Sequence, residues 1–110
     1  MKAPSAAIKA IMLFNADENT STYDKDVFMW DSVNGVQRCS FDAYLRQVEG
    51  AHEGTYKLVK LSMLRVQGIA LADFKYLKKH PMPANGDKTG TTKMVFRSLW
   101  YAATGEEMAI

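Results

Sequence analysis

Cysteine occurs once, histidine twice and proline three times in these 110 residues. Each scarcity excludes something. The lone Cys39 cannot close an intramolecular disulfide, so the chain is not a disulfide-stapled scaffold. Two histidines and one cysteine cannot build a zinc module, which needs several convergent nitrogen and sulfur ligands. No apolar run approaches the ~20 residues that span a bilayer, so no membrane partner is expected. Lys9 interrupts what would be the apolar region of a secretory signal. Together these features lead to the expectation of a reducing, cytoplasmic location. Repeats and low-complexity tracts are also lacking.

The chain does have an ordinary globular composition, 47% hydrophobic and 24% charged, with a formal net charge of only +2. Its length suits one domain over residues 1–110. The distribution of charge says more than its sum. Residues 1–54 carry five cations and eight anions, whereas residues 55–110 carry nine cations and four anions. The halves are therefore −3 and +5. Such asymmetry points to an acidic partner on one face, and says nothing of the fold.

Asn34-Gly35 lies between Val27–Val33 and Val36–Cys39. Asn and Gly tolerate the positive φ that both central residues of a type I′ turn require, which predicts a hairpin over about 27–39. Ser40 suits an N-cap, and Phe41, Tyr44, Leu45, Val48 and His52 recur at helical spacing, predicting a helix over about 41–53 that ends at Gly54. A second helix is predicted over about 70–79, with Ala70, Leu71, Phe74 and Leu77 on one stripe and Pro81 stopping it.

Three stretches fit both periods: 6–14, 55–67 and 92–103. Apolar residues on both faces of 55–67 suit a central strand. In 92–103 the aromatics favour a strand, while Met94, Val95, Ser98, Leu99 and Ala102 fit a helical stripe. Residues 15–26 and 81–91 read as loops, and the tail 105–110 is expected to fray. The order suggests an α+β fold, a small, mainly antiparallel sheet with the two helices packed on it.

The motifs for chemistry are thin. Glu49 and His52 have the Glu-x-x-His spacing of half a di-metal site, but a second copy is lacking, so no metal and no cofactor are expected. Asp17–Ser21 begins like a calcium loop without its glycine or closing glutamate. Asn19-Thr20-Ser21 is a glycosylation sequon, which means nothing without secretion. Gly86–Lys93 has the residue types of a phosphate loop in the wrong order. Cys39 reads as a small buried hydrophobe rather than a nucleophile. Trp30, Met29, Met12, Met63, Met94 and Trp100 could form a plastic protein-binding surface, but read mostly as core.

The basic second half carries the candidate site. Positions four and eight apart share a face in a strand and, approximately, in a helix, so Lys93, Arg97 and Tyr101 group together under either reading. Lys75, Lys78 and Lys79 crowd one side of the second helix beside Tyr76. The competing reading is a solvated helix face over aromatic core. We expect a small, non-enzymatic regulatory or inhibitory binding protein that docks on a larger protein or protein–nucleic-acid assembly through an acidic surface; such domains include virus-encoded modulators of host machinery. The alternative is direct nucleic-acid binding by the basic aromatic face. A third is a small enzyme with a site assembled from residues such as His52, His80, Glu49 and Cys39.

Overall fold

The computed structural model describes residues 7–14, 23–52, 54–62 and 68–108. Four strands, β1 (Ile8–Phe14), β2 (Tyr23–Asp31), β3 (Gly35–Ser40) and β4 (Tyr56–Ser62), form one sheet in the order β3-β2-β1-β4. Helix α1 (Phe41–Val48) follows β3, and α2 (Ile69–Lys79) and α3 (Gly90–Thr104) follow β4. Neighbours β3/β2 and β2/β1 are antiparallel, and β1/β4 is parallel. The fold is α+β with a mainly antiparallel sheet.

Alternation along the strands explains why both sheet faces are covered. Ala10, Met12, Val27 and Met29 point to one side, where Tyr44 and Val48 of α1 seal them. Ile11, Phe28 and Trp30 point to the other, against Phe74 and Leu77 of α2 and Phe96, Leu99 and Trp100 of α3. A strand buried on both faces reads as a continuous apolar run, which is what Ile11-Met12-Leu13 and Val27-Phe28-Met29-Trp30 are. The ambiguous stretch 6–14 is thus a strand where it is described.

The hairpin forms, but its turn differs from the expectation. Asp31 pairs with Gly35, leaving a three-residue loop, Ser32-Val33-Asn34. Gly35 takes φ +78°, and among the described residues only glycines have positive φ, so Asn34 does not and the turn is not type I′. The Asp31 side chain decides this. Its Oδ1 accepts from the backbone N–H groups of Val33 (2.8 Å) and Asn34 (2.7 Å), and its Oδ2 from Asn34 Nδ2 (3.2 Å).

Helix α1 begins as expected, with Ser40 Oγ accepting from Ala43 N at 3.1 Å. It ends at Val48, five residues short of position 53: Glu49 leaves the helical conformation (ψ 129°), and Gly50 at φ +78° completes a turn in which Ala51 N–H donates to the Val48 carbonyl at 3.0 Å. His52 is consequently exposed and outside the helix, not partly buried within it. The expected strand 55–67 is β4 over 56–62, with 63–67 outside the described residues. It is an edge strand, not a central one, and Lys57 and Lys60 are exposed.

Residues 92–103 are helical. Thr92, Phe96, Leu99 and Trp100 are buried at i, i+4, i+7 and i+8, with Ala103 packed beside them, so the aromatics serve a helix stripe and not a strand. The stripe through Met94, Val95, Ser98, Leu99 and Ala102 is not the buried one: Met94 is 56% exposed, and Ser98 and Ala102 are exposed too. Gly105 closes α3 in the left-handed conformation, donating to the Tyr101 carbonyl. Where it is described, over 105–108, the tail docks rather than frays: Met108 is buried in the core, and Glu106 pairs with Lys57 at 3.3 Å; 109–110 lie outside the described residues.

Candidate functional site

Helices α2 and α3 form one layer on one face of the sheet. Their buried stripes fix which side chains remain outside. On α2, Ala70, Phe74 and Leu77 face the core, leaving Lys75 and Lys79 exposed and Lys78 half-buried. On α3, burial of Thr92, Phe96 and Leu99 leaves Lys93, Arg97 and Tyr101 in a row along one flank, the first two half-buried and Tyr101 56% exposed. The grouping at positions four and eight apart therefore holds on a helix. Tyr76 is also exposed, and its ring stacks on His80, one turn further on, with centroids 5.3 Å apart and planes 18° off parallel.

Electrostatics sets this layer apart from the rest of the surface. Residues 69–104 carry six cations, Lys75, Lys78, Lys79, Lys88, Lys93 and Arg97, against Asp73 and Asp87, a balance of +4. Helix α1, on the opposite face, has one charge of each sign. Three cations elsewhere have local partners. Arg38 pairs with Asp26 at 2.8 Å and also donates to the Lys78 carbonyl; Lys9 lies over the Trp30 ring, and Lys57 over that of Trp100. Among the described residues, no carboxylate lies within ion-pair distance of Lys75, Lys79, Lys93 or Arg97. Of the two carboxylates of the layer, Asp87 is 4% exposed, and Asp73 is half-buried with its Oδ2 buried.

Asp87 organises a cluster that the sequence reading missed. His80 closes α2, and its Nε2 lies 2.5 Å from Asp87 Oδ2. The same oxygen accepts from the Thr92 hydroxyl at 2.8 Å, and Oδ1 accepts from the Thr89 backbone N–H at 2.9 Å. Thr89 in turn donates its hydroxyl to Thr92 at 3.2 Å. The backbone and hydroxyl donors hold the Asp87 carboxyl down at about 2, against the opposing effect of burial. A carboxylate only accepts, so His80 Nε2 is the donor in this contact. The backbone of Asp87 is engaged as well: it exchanges hydrogen bonds with Val36 on the β3 edge, 2.9 Å and 2.7 Å long. The segment with phosphate-loop residue types, Gly86–Lys93, thus supplies this tie and the start of α3. His80 seven residues before Asp87 was the available signal, but its meaning depended on a loop that folds back.

The remaining candidates are not gathered. Glu49 and His52 lie exposed beyond α1, and among the described residues no three His, Cys, Asp or Glu side chains converge as metal ligands. Cys39 is half-buried, and burial together with the neighbouring Asp26 pushes its thiol up to about 11, the opposite of what a nucleophilic cysteine needs. Of the sulfur and indole side chains, Met12, Met29, Trp30 and Trp100 are core; Met63 lies outside the described residues, as do Asp17–Ser21 and the sequon. No helix among the described residues is long and apolar enough to cross a membrane. Comparisons with known protein families, curated proteins and solved structures find no match.

Proposed function

We propose that this is a non-enzymatic binding protein whose α2–α3 layer docks on an acidic surface of a larger macromolecule, regulating or inhibiting that partner by occupying the surface. The observation that supports this reading most directly is the unpaired charge: among the described residues, Lys75, Lys79, Lys93 and Arg97 have no ion-pair partner, on the layer where Tyr76, Met94 and Tyr101 are also exposed. Cations beside exposed aromatic and methionine side chains suit an interface. The charges speed encounter, and the apolar groups slow release. Surface lysines alone are ordinary; among the described residues, three of the five large exposed hydrophobic residues lying on the same two helices are less so.

The test measures binding to two polyanions, poly-glutamate and single-stranded oligothymidylate, at low salt. Reversal of Lys93 and Arg97 to Glu is compared with reversal of Lys57 and Lys60 on β4. The reading expects at least one polyanion to bind, and binding to weaken much more with the α3 pair reversed. Equal weakening by both pairs, or no binding to either polyanion, overturns it.

A further inference from the structure

We propose that the stacked pair Tyr76 and His80 is a preformed platform for a base of single-stranded nucleic acid, with Lys79 beside it for the adjoining phosphate. This rests on the docking role of the α2–α3 layer given above and names its partner. Tyr76 and Lys79 occupy i and i+3 of α2, and His80, the residue that caps its C-terminus, stacks on Tyr76, so the three side chains are neighbours on one surface. The two rings lie within 18° of parallel, and Tyr76 is 36% exposed.

One member of the pair is held from below. His80 is one-quarter exposed, and its Nε2 is bound to the almost fully buried Asp87, which the Thr89 backbone N–H and the Thr92 hydroxyl hold in turn. An imidazole fixed by a buried carboxylate keeps one orientation, so the ring stacked on it loses little freedom when a third ring is added. A flat ring with a cation alongside and no counter-charge suits single-stranded nucleic acid: every base offers a π-face, and the backbone offers an anion per nucleotide. An acidic protein surface would use the cations and an exposed ring equally well, but does not call for two rings held parallel as a stacking base does.

The experiment compares a single-stranded oligothymidylate with an abasic oligodeoxynucleotide of the same length, which keeps the phosphates and lacks the bases. Wild-type protein should bind the oligothymidylate roughly tenfold or more tightly at equal salt, the scale of one base–aromatic stack. Tyr76→Ala should remove most of that difference by weakening only the oligothymidylate, and Tyr76→Phe should restore it. If the two oligonucleotides bind equally to wild-type protein, or Tyr76→Ala weakens both alike, the platform is overturned. The charge-based docking reading survives that result, because it requires only that a polyanion bind and that the Lys93 and Arg97 reversal weaken binding more than the Lys57 and Lys60 reversal. Binding to poly-glutamate but not to the oligothymidylate likewise overturns the platform and leaves the docking reading intact.

Discussion

His80 and Asp87 meet at 2.5 Å across the loop that joins α2 to α3, and Asp87 simultaneously pairs its backbone with Val36 on the edge of the sheet. One aspartate therefore fastens the end of α2, the start of α3 and the hairpin. Its carboxyl is lowered in the fold from 3.8 to about 2. A lowered carboxyl contributes stability that is fully present above about pH 4 and is lost as pH falls toward 2, amounting to about 2 kcal/mol. Urea denaturation between pH 4 and pH 2 should show this loss in the wild type, with a shallower decline in Asp87→Asn. Identical slopes would mean that Asp87 is not held as described.

His80→Ala leaves the buried Asp87 carboxylate short of one donor. The expected cost is about 1–3 kcal/mol, the scale for removing one partner from a buried polar group. Thr92→Val removes another donor to the same oxygen and should cost a similar amount. Because both substitutions act on one carboxylate, their effects should not add. A double variant whose loss of stability equals the sum of the single losses would contradict a shared network.

Gly35 and Gly50 both sit at φ +78°, but their surroundings differ. A Cβ on Gly35 would collide with the Asp87 carbonyl, whereas one on Gly50 would meet open space. Gly50→Ala should cost only the left-handed strain, about 1–2 kcal/mol. Gly35→Ala carries the same strain and must also push the 86–88 backbone off β3, so its loss should be clearly larger. Thermal or urea midpoints of the two variants decide this, and equal losses would show that the close approach is unimportant.

How far the sequence carried the fold depended on whether the deciding contact was local. The helix starting at Ser40 and the one stopping before Pro81 were legible because caps and prolines act within one turn. The hairpin was legible in place but not in kind, since Asp31 reaches forward to accept from Val33 and Asn34 and overrides the preference of Asn34-Gly35. Residues 92–103 were not legible as a helix. Phe96 and Trp100 have strand propensity, and only packing against Phe28, Phe74 and the sheet selects the helical period. The row of Lys93, Arg97 and Tyr101 could be grouped because that grouping is common to both periods. The His80–Asp87 tie could not, because Asp87 earns its burial from Val36, fifty-one residues earlier in the chain.

The basic layer makes the last prediction quantitative. Lys93 and Arg97 lie one turn apart on α3 with no carboxylate beside them among the described residues. If each neutralises one phosphate of a single strand, each contributes about 0.7 to the slope of log affinity against log salt. Lys93→Gln and Arg97→Gln should each lower the slope by roughly that amount, and together by about twice as much. Removal of Tyr101, further along the same flank, should lower affinity without changing the slope, because a ring releases no counterion. Neutralising Lys9, which already lies over Trp30 on the sheet, should leave the slope unchanged. A titration series in which the Lys9 and Lys93 variants shift the slope equally would place the contact elsewhere than on α3.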